Sequence, residues 1–438
     1  MHNEEVEKET AIIVGLRTAK SGAYDLPLEA SMQELELLAE TDDVEVLGSM
    51  EQSLHAPNSR TFIGSGKVEE LKMMATELGV DMVIFDDELS PRHQRELEEA
   101  LGMNIKVIDR TALILDIFGR HAKTREGQLQ VELAQLKYRL PRLTHAWTHL
   151  ARQAGGGGGR SGTVGGVGLR GPGETQLEVD RREIRKHLQK LEESIEKVRE
   201  NRAQYRYQRK KSNIPVVALV GYTNSGKSTL LNTLANADVY TANQLFATLD
   251  PTTRQAELKD GQLVLLTDTV GFIQKLPTQL IVSFRATLEE IAEADLLLHV
   301  VDASNPSFGT QKLTVLQTLK EIEASELPVI TVFNKIDLLS TEDIDQLKSR
   351  AAPVSAFISA KDGVGIEDLV TKISDQLLLQ FELVTVLVPY GMGQLVSAFH
   401  EKGKTLTIEN LEKGIRIHGY LPKQLVSAFE IYRTKPVK

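Results

Sequence analysis

Residues 215–234 read PVVALVGYTNSGKSTLLNTL. A β-branched apolar run leads straight into Gly221-Tyr222-Thr223-Asn224-Ser225-Gly226-Lys227-Ser228, and the leucine-rich stretch beyond Thr229 has helical spacing. Strand, glycine loop, helix is the context in which GxxxxGK[ST] binds phosphate. The backbone amides around Gly226 converge on one spot, and the positive end of the following helix reinforces them. Lys227 brings a full charge to the β- and γ-phosphates, and the Ser228 hydroxyl is placed to ligate Mg²⁺. A loop of this kind sits on a sheet flanked by helices, so residues 213–380 are expected to form such a domain.

Three further stretches follow in a telling order. KDGQLVLLTDTVG (259–271) reads as a turn and a strand ending in Asp268-Thr269-Val270-Gly271. There the Asp268 carboxylate can hold a Mg²⁺-bound water and the Gly271 amide can meet a γ-phosphate. PVITVFNKID (328–337) is a strand ending in Asn334-Lys335-Ile336-Asp337. A carboxylate at Asp337 accepts two hydrogen bonds from guanine N1–H and the 2-amino group. Adenine lacks both donors, and leaving the carboxylate unpaired costs about 1–3 kcal/mol. AAPVSAFISAKDG (351–363) supplies Ser359-Ala360-Lys361 on a loop after a strand, where an amide can donate to guanine O6. Together the four motifs point to GTP and GDP as ligands.

The rest of the chain frames this domain. At 438 residues it is too long for one ordinary core, and its 41% apolar and 26% charged content is that of a globular protein. It has no cysteine, which excludes disulfides, thiolate nucleophiles and cysteine zinc sites. The acidic start, MHNEEVEKET, has none of the features of a signal or transit peptide, and no apolar run reaches the roughly 20 residues of a membrane span. A cytoplasmic protein without stable membrane insertion is expected. Residues 1–120 alternate strands (AIIVGL 11–16, VEVLGS 44–49, DMVIFD 81–86, IKVID 105–109) with helical stretches near 28–41, 66–79 and 91–102. That alternation predicts an N-terminal α/β domain with a parallel sheet. GSGK at 64–67 lacks the spacing of a phosphate loop and reads as a turn before a helix. Residues 381–438, with LVTVLV (383–388), GIRIHG (414–419) and a repeated QLVSAF, read as a small C-terminal α/β domain.

Between the two larger domains lies a basic arm, 121–212. Arg120 to Lys211 holds 21 Lys and Arg against 10 Asp and Glu, inside a chain whose net charge is −10. Concentrated positive charge on an acidic protein suggests a polyanionic partner. Leu129, Leu133, Leu136, Leu140, Leu143, Trp147 and Leu150 repeat at heptad spacing, with Pro141 expected to kink the helix. A second seam runs through Ile184, Leu188, Leu191, Ile195, Val198 and Tyr205, after a capping box at Thr175 and Glu178. Two matching seams predict an antiparallel helical hairpin, its second helix about 50 Å long. Its tip, 153–174, is glycine-rich, with 11 glycines among residues 155–173 and cations only at Arg160 and Arg170. Bare backbone can enter a narrow cleft and approach phosphates or bases closely. A plain linker is the competing reading, although joining two adjacent helices takes only a few residues. His145 and His149 lie one helical turn apart, but without a third ligand they read as a surface pair.

In ordered combination these motifs make residues 214–380 resemble the translation-factor-related GTPases, and most of the chain resembles the HflX family, which shares ancestry with the Obg-type GTPases. The carrying residues are GYTNSGKSTL (221–230), FATLDPTTR (246–254), DTVGFI (268–273), GLRGPGETQLEVDRR (168–182) and FDDELSPRHQRELE (85–98). The resemblance implies that Phe246, Ala247, Thr248, Leu249 and Asp250 form switch I, with Thr248 a second Mg²⁺ ligand. Thr252 and Thr253 remain rivals for that role.

Members of that family bind the large ribosomal subunit and are associated with splitting stalled or stress-inactivated ribosomes. The resemblance therefore implies a GTP-hydrolysing factor, expected to be monomeric. Its partners would be the large subunit and its ribosomal RNA, with Arg160, Arg170, Arg181 and Arg182 as candidate RNA contacts. A large-subunit assembly GTPase, and a switch that uses the hairpin to bind a protein partner, remain alternatives. One position stands apart from GTPases at large. Where many carry a water-orienting glutamine after DxxG, this chain has Phe272. No catalytic residue follows from sequence, and slow intrinsic hydrolysis stimulated by the ribosome is expected.

Overall fold

In a computed structural model of the chain, residues 8–19, 26–102, 104–142, 182–200, 214–235, 246, 252–258, 261–275 and 291–434 are described. The first sheet comprises β1 (Thr10–Thr18), β2 (Glu45–Leu54), β3 (Met82–Phe85) and β4 (Lys106–Asp109), all parallel, in the order β2-β1-β3-β4. Helices α1 (Leu28–Thr41), α2 (Ser65–Leu78) and α3 (Pro91–Leu101) make the crossovers, and α4 (Arg110–His121) follows β4. Strand residues alternate between two cores, as their two-residue period requires. Ile12, Val14, Val83 and Phe85 pack with Leu71 of α2 and Leu97 of α3. Ala11, Ile13, Met82 and Ile84 pack with Leu35 of α1 and Ile114 of α4. GSGK does open an ordinary helix, with Gly64 at its N-cap.

Helix α5 (Arg125–Arg139) starts at Thr124, whose hydroxyl accepts the Gly127 N–H at 3.0 Å. Val131, Ala134 and Tyr138 face inward and join the same core as α4. The first part of the arm is thus built into the N-terminal layers. The helix stops before Pro141 instead of bending through it, since that ring would clash with the preceding turn. A further helix, α6, covers residues 182–200. Leu191 is buried, while Ile184, Leu188, Ile195 and Val198 are half-buried, so the second seam does mark its inner face. His187 meets Glu132 at 2.9 Å, and Lys137 meets Glu192 at 2.8 Å. The two pairs advance together along both helices, the order of parallel neighbours. Helices α5 and α6 therefore run parallel where they meet, not antiparallel as their matching seams predict. Residues 143–181 lie outside the described residues, and with them His145, His149, Arg160, Arg170, Arg181 and the Thr175 capping box. Arg182 is exposed.

The second sheet has six strands: β5 (Val216–Gly221), β6 (Thr252–Glu257), β7 (Leu263–Asp268), β8 (Leu296–Asp302), β9 (Val329–Asn334) and β10 (Ser355–Phe357). Their order is β10-β9-β8-β5-β7-β6, parallel except for β6 against β7. Helices α7 (Lys227–Ala235), α8 (Phe308–Glu321), α9 (Thr341–Arg350) and α10 (Ile366–Leu378) flank it. One of its cores is continuous with the first sheet's. Tyr222, Phe246, Val270, Phe272, Leu297 and Val315 belong to one buried cluster with Leu35, Ile114 and Phe118.

The last unit is the antiparallel sheet β11 (Phe381–Val388), β13 (Gly414–Pro422), β12 (Lys404–Leu411), with α11 (Gly393–Lys402) and α12 (Lys423–Phe429). The repeated QLVSAF is explained here. Each copy is a helix, and the final phenylalanines, Phe399 and Phe429, meet edge to face at 5.6 Å under the sheet.

Candidate functional site

The glycine loop leaves β5 between β7 and β8, where the order of connections reverses and an open α/β sheet leaves a crevice beyond its strand ends. Gly226 has φ +91, and a Cβ there would stand 2.2 Å from Asn334 Nδ2. Glycine is required on both counts. Asn334 is the hub that joins three of the motifs. Its side chain donates to Ser225 O at 2.9 Å and accepts the Ala360 N–H at 2.9 Å. Ser359 holds the same turn through Asp362 at 3.0 Å, and Lys335, itself at φ +64, pairs with Asp302 at 2.6 Å. Ile336 and Asp337 open a short 3₁₀ turn, with Asp337 facing solvent. Lys361, which follows Ala360, is exposed.

On the phosphate side, Lys227 is buried and its ammonium donates to Tyr222 O at 2.8 Å and Gly221 O at 3.1 Å. Burial pushes its pKa down to about 8, against the pull of Asp268. Beneath the loop, His299 of β8 is buried and neutral; burial, then Lys312 and Lys227, bring it down to about 3. The Ser228 hydroxyl donates to Asp268 Oδ2 at 2.6 Å. A hydroxyl and a carboxylate facing each other are hard oxygen donors of the type Mg²⁺ takes. Thr269 is turned away, its hydroxyl donating to Leu219 O at 2.7 Å. Thr229 lies within α7, its carbonyl accepting the Thr233 hydroxyl at 3.0 Å.

The segment from Gly271 to Lys275 is stitched to the loop. Phe272 N–H donates to Gly221 O at 3.0 Å, and Thr223 N–H donates to Phe272 O at 2.8 Å. The Tyr222 hydroxyl accepts the Gln274 N–H at 2.8 Å. A Cβ on Gly271 would lie 2.8 Å from Thr223 Cγ2 and 3.1 Å from Lys227 Nζ, so these three residues close on one point.

Of switch I, Phe246 is described and Ala247, Thr248, Leu249 and Asp250 are not. Phe246 is buried edge to face on Phe118 of α4, with ring centroids 4.5 Å apart. Thr252 and Thr253 lie on β6, and Thr253 bonds the Thr267 hydroxyl at 3.0 Å.

Sequence reasoning missed a second cluster that reaches this segment. Buried Arg110 donates to Asp86 at 2.6 Å and Glu34 at 2.7 Å, and Lys275 pairs with Asp86 and Asp87, each at 2.6 Å. Gln274 accepts the Leu26 N–H at 3.0 Å. The pair Asp86-Asp87 in FDDELSP, at the end of an apolar strand, was the available signal; its partner lies 189 residues further on. Among the described residues no group of three His, Cys, Asp or Glu forms a metal site. No helix there is long and apolar enough to cross a membrane.

Comparison with known proteins agrees with this arrangement. Three family models match in succession: GTP-binding GTPase N-terminal over residues 29–119, GTP-binding GTPase Middle Region over 121–209, and 50S ribosome-binding GTPase over 216–335. A GTPase HflX of Caldanaerobacter subterraneus subsp. tengcongensis is 46% identical over 94% of this chain and 90% of its own. Another, of Alkalihalophilus pseudofirmus, is 51% identical over 75% of this chain and 74% of its own. Among solved structures, the SsGBP–GDP complex is 25% identical, covers 85% of this chain and 99% of its own, and overlaps with a TM-score of 0.46.

Proposed function

The chain belongs to the HflX family of GTPases, which hydrolyse GTP to GDP and phosphate, and from that premise we propose that it is a nucleotide-controlled factor of the large ribosomal subunit that splits stalled or stress-inactivated ribosomes. The observation that carries the reading is the stitching of the glycine loop to the Gly271–Lys275 segment and, through Lys275, to the N-terminal layers. A change at the γ-phosphate is thereby connected to the elements on which the arm is built.

In this reading residues 221–229 wrap the phosphates, and Lys227 leaves its carbonyl partners to meet the β- and γ-oxygens. Asn334, Asp337 and the 359–361 turn hold guanine. Ser228 and Thr248 would hold Mg²⁺ with the help of Asp268, and the ion would supply charge neutralisation at the phosphates. The Gly271 amide meets the γ-phosphate and reports its loss on hydrolysis. The basic arm, 121–212, is the RNA-binding element. Its charge, +11 within a chain of −10, suits ribosomal RNA, and its glycine tip suits a confined channel. With Phe272 in the glutamine position, hydrolysis is slow until the ribosome stimulates it. The match to a model described as a 50S ribosome-binding GTPase supports the large subunit as partner.

The test is replacement of residues 153–174 by a short serine linker, followed by a ribosome-splitting assay on sucrose gradients with GTP. Loss of splitting with unchanged GDP binding is expected. Undiminished splitting would make the tip a connector only. Binding confined to precursor particles would assign the chain to assembly, and binding that survives RNase to a protein partner.

A further inference from the structure

The C-terminal sheet belongs to neither the nucleotide pocket nor the arm. Residues 433–434 add to it: Arg433 bridges Val386 antiparallel, and the Thr434 N–H donates to Thr385 O at 2.8 Å. The strands then stand in the order 433–434, β11, β13, β12, and the chain runs strand, helix, strand, strand, helix, strand. One face of this sheet carries both helices. Val384, Val386 and Val388 of β11 and Ile417 and Leu421 of β13 pack there with Phe399 and Phe429. Strand periodicity sends the residues between them to the other face, and on β13 these are Arg416, His418 and Tyr420.

Solvent reaches that face from both flanks of β13. Leu383 on β11 is 46% exposed, and Thr407 and Glu409 on β12 are exposed. Between them Arg416, His418 and Tyr420 are half-buried, two residues apart along one row. Tyr420 stands opposite Leu383, His418 opposite Thr385, and Arg416 opposite Leu387. His418 Nδ1 is bonded to the Thr385 hydroxyl at 2.8 Å, which fixes the ring on the sheet. Arg416 pairs with Glu409 at 3.0 Å, a partly exposed contact of small worth that a phosphate can displace. A phenol and an imidazole on a rigid strand offer faces on which bases stack, and the neighbouring guanidinium adds charge and a further flat surface. Residues 381–438 hold 8 Lys and Arg against 5 Asp and Glu, a net charge of +3 within a chain of −10, which complements a polyanion.

We propose that this face of the C-terminal sheet binds single-stranded RNA, with unstacked bases lying on Tyr420 and His418 and a flanking phosphate meeting Arg416. Sheets of this connectivity serve many functions, so the residues and not the topology bear the argument. In the RNA-recognition motif, a four-stranded sheet that stacks bases, one strand carries a cation followed by aromatic residues two and four positions on. Arg416, His418 and Tyr420 repeat that spacing on the central strand β13, with an imidazole at the first aromatic position. A duplex hides its base faces in its own stack and does not fit such a row. A protein segment adding to the sheet would pair with the edge of β12, not lie across this row. The choice of RNA over DNA rests on the ribosomal reading; the stacking row does not.

The test is fluorescence anisotropy of a labelled single-stranded RNA of about eight nucleotides with the full chain, in excess unlabelled duplex RNA. The duplex occupies the phosphate contacts of the arm and offers no free base face. Tyr420→Leu keeps apolar bulk and removes the ring; Tyr420→Phe keeps the ring. The expected result is a Kd raised roughly 5–150-fold in Tyr420→Leu and within about twofold of wild type in Tyr420→Phe, with Tm measured on each variant. Wild-type affinity in Tyr420→Leu overturns the proposal. Should that variant fail to fold, His418→Asn replaces it, since it can keep a bond to Thr385 without the ring, and wild-type affinity there overturns the proposal equally. Binding that the duplex abolishes overturns it as well and leaves the arm as the RNA site. Tighter binding of the matching DNA strand overturns the choice of RNA. A chain that holds the single strand through Tyr420 yet splits no ribosomes refutes the ribosomal reading and upholds the stacking row.

Discussion

Lys275 Nζ lies 2.6 Å from Asp86 Oδ2 and ties the segment after Gly271 to the end of β3 in the first sheet. Asp86 is fully buried. Burial alone would raise its carboxyl, but Arg110 and Lys275, with the Ser31 hydroxyl, outweigh it and hold the pKa at about 2. Arg110 is buried too, between Asp86 and Glu34. Each member of this cluster neutralises another, so removing one leaves a buried charge uncompensated.

Asp86→Asn should accordingly destabilise the chain by about 3–5 kcal/mol, as loss of one buried ion-pair partner does. The folded pKa lies below the unfolded value of 3.8, so this contribution is present above about pH 4 and fades as pH falls toward 2. Chemical denaturation at pH 7.5 and pH 3 checks both statements. A difference under about 1 kcal/mol at pH 7.5 would contradict the role given to the cluster.

Asp42 predicts the opposite sign. Burial, abetted by Asp116 and Asp43 and opposed by Arg120, raises its pKa from 3.8 to about 6. Between those values the folded chain holds a proton that the unfolded chain releases, so stability falls as pH rises through that window and stays lower above it. Asp42→Asn, which cannot ionise, should stabilise the protein by about 1 kcal/mol at pH 7.5 after allowance for solvent screening. Thermal melts should show that gain shrinking toward pH 4.

Asp337→Asn tests the base pocket. An amide can accept from guanine N1–H but opposes its 2-amino group with a second donor, whereas xanthine offers a carbonyl there. GTP affinity should drop roughly 100-fold, and XTP should bind in its place. Unchanged preference for GTP in competition binding would remove Asp337 from the pocket.

Nucleotide binding should also depend on pH through Lys227. Phosphate restores the charge that burial weakens, so binding takes up a proton where the free lysine has lost one. GDP affinity should be level below about pH 8 and fall by up to about tenfold per unit above it. Calorimetry in buffers of different ionisation enthalpy at pH 8.5 should register the uptake, and zero uptake would contradict a lysine poised near 8.

The strands and their parallel pairing in the N-terminal sheet were legible because each strand announces itself, whereas the strand order was not. AIIVGL and DMVIFD are β-branched, buried on both faces and separated by helical stretches, which leaves few alternatives to a parallel sheet. The loop cluster was legible because Gly226, Lys227, Ser228, Asp268 and Asn334 act through local backbone geometry at strand ends. What stayed hidden depends on distant pairing. Nothing local says that Phe272 is buried in a core shared with the other sheet, or that Lys275 finds Asp86. The leucine seam from Leu129 misled in part. It marks one side of α5, while Val131, Ala134 and Tyr138 use the other side to enter the N-terminal core, and Pro141 ends the helix that the seam seemed to continue.

The central claim is that the nucleotide pocket governs whether the basic arm holds the large ribosomal subunit. Cosedimentation of the chain with purified large subunits, in GDP and in a non-hydrolysable GTP analogue, tests it most directly. The account predicts a stable complex with the analogue that dissolves in GDP. Equal recovery with the two nucleotides would contradict it.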